Sequence, residues 1–326
     1  MPSPSTALTT LRPDLGGSMS EFSTAADRAG FIGLRVLPVF ESALASGKYG
    51  KIPIEQLLAT RETKRASGAG YSRSKFTFTD ASFATEEHGA EEVVDDRNSA
   101  LYANYFDAEL IAAERARDVV LRNAEIRIAS AVFNPTTWAG ASKTTAITNE
   151  WDDSINATPI DDVEAAVRKV WDGTGLWPNA LIINRKVFRN LRLAAQIIDR
   201  IESAGAGNPA KASDITTAML AAVFDLDYIL VAGSGQNTAK EGQSASLSQI
   251  WSDEYAMVAR IATSNDLSEP CLGRVIHWGE DGSSIGGVIE SYRDETVRGD
   301  VIRVRHEVDE LIMYPECGHL LSNVTT

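Results

Sequence analysis

From Arg97 to Phe133 the chain runs for 37 residues without a glycine or a proline. Within that stretch Leu101, Tyr105, Ala108, Ala112, Val119, Leu121, Ile126, Ala129 and Phe133 recur at near-helical spacing. Asp95 or Asp96 can cap the start, and Asn134 followed by Pro135 ends it. At 1.5 Å per residue such a helix would be roughly 55 Å long. That exceeds what a small compact domain needs, so the segment reads as a spine against which other elements are laid.

On the N-terminal side of the spine the chain is extended. Residues 1–30 are rich in Ser, Thr, Pro and Gly, lack periodicity and read as a leading arm. Phe31 to Phe40 is an apolar run of strand length that Pro38 confines to an edge. Lys48 to Ile54 reads as a short extended piece after a turn at Gly47. Beyond the polar, glycine-containing stretch 59–70, Lys75, Thr77 and Thr79 alternate with Phe76 and Phe78, and Phe83 comes after a break. Two extended arms around a polar tip predict a hairpin-like projection over roughly residues 46–92. A two-stranded projection is marginal in water and must rest on its own body or on a neighbouring subunit.

On the C-terminal side of the spine helices and strands mix. Residues 136–160 show turn chemistry and no clear element. A helix is expected from about Asp161, with Val163, Ala166, Val167 and Val170 on one face, then a strand at 180–184 and a helix from Arg185 to Ile201. Ser213 or Asp214 would cap a further helix before a strand at 227–232. This order predicts a mixed α/β unit over about 160–280. Ile285–Tyr292 and Val301–Glu307, joined by a turn at Arg298, Gly299 and Asp300, read as long antiparallel strands.

Composition narrows the function classes. The 326 residues are 44% hydrophobic and carry a net charge of −14. That balance fits a globular chain with a large core. The first 65 residues hold eight basic and six acidic side chains, so the remainder is strongly acidic. An acidic body argues against tight sequence-specific DNA binding, which needs a concentrated basic face. Cys271 and Cys317 lack partners at CxxC spacing, which excludes a zinc ribbon or a disulfide scaffold. Neither a signal peptide nor a membrane span is expected, because the first thirty residues lack a basic n-region and a continuous apolar h-region and no later stretch approaches eighteen uninterrupted apolar residues.

Motifs of chemistry are weak. VAGSGQNTAKEG at 231–242 places Gly233 and Gly235 after a strand, as a dinucleotide loop would, but Thr238 stands where the third glycine is needed. It leaves an α/β nucleotide-binding enzyme as the alternative of another class. His306, Glu307 and Glu310 lack the second histidine of a zinc site, and no GxSxG elbow exists. The acidic run 86–96 lacks the alternating pattern of a calcium loop and reads as carboxylates leading into the spine helix. No catalytic residue, metal or cofactor is expected.

The order of elements resembles the major capsid proteins of tailed bacteriophages, whose fold encapsulin shells share. FIGLRVLPVFESALASGKYGKI resembles the opening strand and the first arm of the extended loop, and KRASGAG with SRSKFTFTDASFATEEHGAEEVVDD resembles its tip and return arm. AELIAAERARDVVLRNAEIRIASAVFN resembles the spine helix, the segments from WDDSINATPIDDVEAAVRKV to SQIWSDEYAMVA the axial domain, and ESYRDETVRGDVIRVRHEVDELIM the closing strands of the peripheral domain.

The resemblance implies an α+β fold divided into an N-terminal arm (1–30), a strand and extended loop (31–95), and a spine helix of the peripheral domain (96–135). A linker and axial domain (136–280), peripheral strands (281–315) and a C-terminal tail (316–326) complete it. It further implies a structural protein that is not an enzyme, assembling with itself as pentamers and hexamers into an icosahedral shell. Partners would be a scaffolding protein, a portal and packaged double-stranded DNA held without sequence-specific contacts, with no membrane involved. The shell would be the head of the virion, assembled in the bacterial cytoplasm; an encapsulin-type compartment is the alternative within the fold. Assembly contacts are expected from Tyr49, Lys64, Arg65, Phe76, Phe78 and Phe83, with Arg65 at the tip pairing with acids of a neighbour. Some members cross-link a loop lysine to an asparagine of a neighbour; Lys48, Lys51, Lys64 and Lys75 lie in the corresponding region, and no motif identifies a partner.

Overall fold

A computed structural model of the chain describes residues 10–11, 30–51, 53, 56, 58–60, 62–73, 77, 79–97, 99, 108–203, 214–240, 242–279 and 282–325. In chain order its first elements are β1 (Thr10–Leu11), α1 (Gly33–Val36), β2 (Val39–Ser42), β3 (Ser46–Lys51), β4 (Thr79–Ala84) and β5 (Glu86–Asp95). Next come α2 (Ala108–Val132), β6 (Thr144–Ala146), α3 (Pro159–Thr174), β7 (Ala180–Asn184), α4 (Arg185–Leu191) and α5 (Ala195–Ser203). The remainder comprises α6 (Thr217–Phe224), β8 (Tyr228–Ala232), β9 (Gly235–Asn237), β10 (Leu247–Gln249), β11 (Ala256–Ala259), β12 (Gly273–Trp278), β13 (Val288–Asp294), β14 (Gly299–Ile312) and β15 (Gly318–Ser322).

The fourteen residues of β14 organise one half of the molecule. Along one edge β14 pairs antiparallel with β5 over 299–308; along the other it pairs with β13 over 299–305 and then with β12 over 308–312. β2 joins β12 in parallel at the margin, and β1 pairs with β13. The spine helix lies across β5 and β14. Its buried stripe is Ala112, Ala116, Val120, Ala124, Ile128 and Val132, a four-residue repeat dominated by alanine. Small side chains let the helix approach the sheet closely, and this is why the stripe differs from the expected face: Val119 is 45% exposed. The helix ends at Val132, just before Asn134 and Pro135. Leu101 and Tyr105 lie outside the described residues.

Three other expectations are corrected. Phe31–Phe40 is not one strand, because Val36 and Leu37 donate back to the carbonyls of Ile32 and Gly33 and close a short helix. Pro38 then ends it, and only Val39 onward is extended, at the sheet margin where a proline-adjacent strand is tolerated. Gly47 lies within β3 rather than at a turn. The acidic run 86–96 does not lead straight into the spine but forms β5, a strand of the main sheet.

The second half is a five-stranded mixed sheet in the order β6-β15-β11-β7-β8. β7 and β8 are parallel, while β11 is antiparallel to both β7 and β15. β7 is buried at every position, as a central strand covered on both faces must be. On one face Leu181, Ile183 and Val258 pack with α3 through Val163, Ala166 and Val167. On the other, Ile182, Leu230 and Met257 meet Ile128 and Val132 of the spine and Val275 and Val308 of the first sheet, so the two halves share a core. The expected helix 185–201 is two helices broken at 192–194, and α6 is capped by the hydroxyl of Thr216, which accepts from the Met219 N–H, rather than by Asp214. Ser213 lies outside the described residues. Residues 316–326, set apart as a tail by the sequence, supply β15 to the interior of this sheet. Residues 136–160, without an expected element, contribute β6 and the first two residues of α3. Among the described residues no helix is long and apolar enough to cross a membrane.

Candidate assembly surface

β3 and β4 pair from Ser46 opposite Ala84 to Lys51 opposite Thr79, enclosing residues 52–78. The period of two puts Gly47, Tyr49 and Lys51 on one face of β3. Gly47 faces Phe83; a Cβ there would stand 3.0 Å from the Phe83 ring, so the glycine makes room for the aromatic across the pair. Tyr49 packs with Leu267, Leu311 and Tyr314 beside Cys271 and Met313. Burial, with Tyr314, Asp309 and Cys271 nearby, raises its phenol above the ordinary value. Lys51 Nζ donates to the Met313 carbonyl at 2.7 Å and lies 4.3 Å from the centre of the Tyr314 ring. On the opposite face Lys48 and Asp80 pair at 3.7 Å in full solvent.

The root of the hairpin is tied to β14 as well. Thr85 Oγ1 donates to the Glu307 carboxylate at 2.8 Å, and the Ala84 N–H donates to Asp309 Oδ2 at 3.1 Å. Farther out, the Thr77 N–H donates to Gln56 Oε1 at 3.0 Å and links the two arms. At the tip the Arg65 guanidinium lies 4.8 Å from the Tyr71 ring centre, and the Lys64 N–H donates to Glu62 Oε1 at 3.1 Å. Among the described residues no carboxylate pairs with the side chain of Lys64 or Arg65. Tyr49 and Phe83 thus both lie at the root, Lys64 and Arg65 sit at the exposed tip, and Phe76 and Phe78, like Lys75, lie outside the described residues. Lys51 and its Tyr314 partner were not legible as contacts in the sequence, since 262 residues separate Lys51 from the Met313 carbonyl.

The carboxylates of β5 have partners in their own chain. Arg303 meets Glu91 at 2.6 Å and Glu290 at 3.6 Å; Arg305 meets Glu290 at 2.9 Å and Glu87 at 3.8 Å. Arg115 of the spine reaches Glu92 at 3.5 Å, and Arg293 clamps Asp96. The side-chain hydrogen bond from Arg293 holds the Asp96 carboxyl below its ordinary range. The alternation of acids along β5 with arginines along β14 and β13 makes a charge ladder across the sheet.

A second junction joins the leading segment to the body. Glu125 of the spine, buried, accepts from the N–H groups of Ile32 and Gly33 at 2.9 and 2.8 Å and from Trp251 Nε1 at 2.6 Å. A side chain at Gly33 would push on this junction, because a Cβ would lie 2.5 Å from Glu125 Oε2 and the carboxylate would have to move.

The glycine loop does not cradle a phosphate. Gly233 is closed against Gly30, to whose carbonyl its N–H donates at 3.2 Å, and Gly235 begins β9, which pairs with β10 in a ribbon instead of opening a helix. Among the described residues no group of three or more His, Cys, Asp or Glu could hold a metal ion.

No protein-family model matches the chain. It is 25% identical over 289 residues to the major capsid protein of Pseudomonas phage JBD67, spanning 88% of this chain and 90% of that one. It is 24% identical over 205 residues to the major capsid protein of Burkholderia phage BcepMu, spanning 62% and 64%. Among solved structures, a phage-related protein from Bordetella bronchiseptica superposes with a TM-score of 0.68 at 19% identity over 97% of this chain and 98% of that one. The capsid protein of cyanophage P-SCSP1u gives 0.55 at 10% identity over 88% and 86%. An encapsulin from Synechococcus elongatus gives 0.50 at 11% over 89% and 86%. The chain has the fold that phage capsid proteins share with encapsulins.

Proposed function

We infer that this chain is the major capsid protein of a tailed bacteriophage, a structural subunit that builds the icosahedral head of the virion. The observation that carries the reading is the near end-to-end likeness to a curated phage major capsid protein, covering 88% of one chain and 90% of the other. The two curated relatives are named major capsid proteins, a structural role, so the chain is read as a structural subunit and not an enzyme.

Within this reading residues 1–30 are the arm, 31–95 the opening strand and extended loop, and 96–135 with 281–315 the peripheral domain. Residues 136–280 are the linker and axial domain, to which β15 in the terminal stretch 316–326 is hydrogen-bonded. The projecting hairpin is the natural bridge between copies: its root is anchored on its own chain through Tyr49, Lys51 and Thr85, while among the described residues no carboxylate pairs with the Lys64 or Arg65 side chains at the tip. Acids on a neighbouring subunit are their partners. Pentamers and hexamers formed in this way would tile the shell around double-stranded DNA. The acidic body favours DNA enclosed without sequence-specific contacts, since retained phosphate contacts would oppose packing and release. A scaffolding protein and a portal complete the assembly, which takes place in the cytoplasm of the bacterial host.

Sedimentation of the expressed chain, with and without its candidate scaffolding protein, tests this. Particles far larger than a capsomer support the reading; a monomer or dimer under every condition contradicts it. Arg65→Glu should reduce particle yield while leaving subunit unfolding unchanged, and wild-type yield would remove Arg65 from the contact. The encapsulin-like neighbour supports one second reading, a compartment shell, and an enzyme cargo in place of DNA inside the particles would favour it.

A further inference from the structure

Beyond its root the hairpin touches its own body a second time. Leu58, past the end of β3, lies against the C-terminal end of α3, where a Cβ at Gly175 would stand 3.1 Å from Leu58 Cδ1. Gly175 closes that helix in the left-handed conformation, with φ 68° and its N–H on the Trp171 carbonyl at 2.7 Å. Its missing side chain leaves room for Leu58.

The seat is fixed by its own hydrogen bonds. The buried Thr174 hydroxyl donates to the Val170 carbonyl at 2.7 Å and accepts from the Leu176 N–H at 3.1 Å. Trp177 Nε1 donates to the Asp225 carbonyl at 3.3 Å, and the Trp177 carbonyl accepts from Arg260 Nη1 at 3.0 Å. Trp171 and Trp177, which flank Gly175 in the sequence, stand with ring centres 6.2 Å apart. The contact itself is shallow: Leu58 is 59% exposed, Trp171 50% and Trp177 45%. An apolar contact of that size is weak enough to open and close in solution. Between β3 and β4, Leu58 and Tyr71 are the exposed large apolar side chains among the described residues. One apolar anchor covers one surface at a time, so a Leu58 held on α3 is withheld from any neighbour that the hairpin reaches.

We propose that the seat of Leu58 on Gly175 is an assembly catch, which holds the hairpin against its own subunit in the free chain and opens before the hairpin bridges to another copy. This rests on the reading of the hairpin as the bridge between shell subunits. Because only the open form joins, the apparent affinity between subunits is lowered by the fraction that is open. Loss of the catch therefore promotes assembly, the opposite sign to loss of a bridging contact.

Two variants test it under conditions in which the wild-type chain assembles. Leu58→Ser, at an exposed position, should leave subunit unfolding unchanged and lower the protein concentration at which light scattering detects particles, roughly five-fold for the loss of a half-buried leucine contact. The converse is a lock. In a chain carrying Leu58→Cys and Gly175→Cys, a short reducible linker between the two thiols should give a cross-linked monomer that forms no particles. Reduction should then restore assembly in the same sample, which separates the lock from misfolding. The native cysteines, Cys271 and Cys317, are buried and leave the linker to the engineered pair. A locked chain that assembles as the reduced one does would overturn the catch, as would a free chain in which the pair does not cross-link. A Leu58→Ser threshold equal to or above that of the wild type would overturn it too, and in each of these cases the shell reading stands. If the wild-type chain forms no particles under any condition, the shell reading fails and the catch with it.

Discussion

Glu125 is a single carboxylate on which three distant stretches of chain converge: the start of α1, the spine and Trp251. Burial raises its carboxyl above the ordinary value, and the hydrogen bonds from Ile32, Trp251 and Gly33 counter that rise. Glu125→Ala leaves three buried donors without an acceptor, each worth about 1 kcal/mol or more, so the subunit should lose about 3 kcal/mol, measured by denaturant unfolding followed through tryptophan fluorescence. His306 is equally buried. Its Nδ1 lies 3.1 Å from the Ile285 carbonyl and its Nε2 has no hydrogen-bond partner among the described residues. The His88 ring stands edge-on at 6.1 Å. Burial pushes the His306 imidazole down to about 4, with Arg127 and His88 adding to the effect and the Ile285 carbonyl and Glu310 opposing it. The unfolded chain therefore binds a proton that the folded one refuses between about pH 6.5 and about 4. Stability falls as pH is lowered through that window, by about 3 kcal/mol in full. Thermal unfolding from pH 7 to 4 should show a shallower slope in His306→Leu than in the wild type, and equal slopes would contradict the assignment.

The charge ladder predicts different costs for two arginines two residues apart on β14. Arg303 and Glu91 are about a third or more exposed, so Arg303→Ala should cost under about 1 kcal/mol. The Arg305 partner Glu290 is largely buried and keeps only the longer contact to Arg303 at 3.6 Å when Arg305 is removed, so Arg305→Ala should cost more, about 2 kcal/mol. Urea unfolding of the two variants side by side distinguishes them. Legibility divides in the same way between local and long-range causes. The amphipathic face of α3, the strand at 180–184 and the antiparallel pair 288–294 with 299–312 were all readable, because period, caps and turns are local. The split of Phe31–Phe40 was not, because the helical turn at Gly33 is held from outside by Glu125, 92 residues away. The acids of β5 were misplaced for the same reason: their arginines stand on strands near residue 300. The alanine stripe of α2 carried too little hydrophobicity to outbid Val119 as the core face.

For the whole molecule, the projection was visible in the sequence as two extended arms, while its anchorage was not, since Tyr49 and Lys51 find their seats on residues 267–314. In the proposed assembly this hairpin, tied at its root and with no carboxylate paired to the Lys64 or Arg65 side chains among the described residues, reaches another copy. Lys51→Ala removes the hydrogen bond to the Met313 carbonyl and the stacked cation, so the arm should sample more directions and particles should become heterogeneous in size, measured by light scattering. The central claim is that the chain builds closed shells. Negative-stain electron microscopy of the purified, tag-free protein, alone and with the proposed scaffolding protein, tests it most directly. The account predicts closed particles of uniform diameter made of rings of five and six; a stable monomer or dimer under every condition would contradict it.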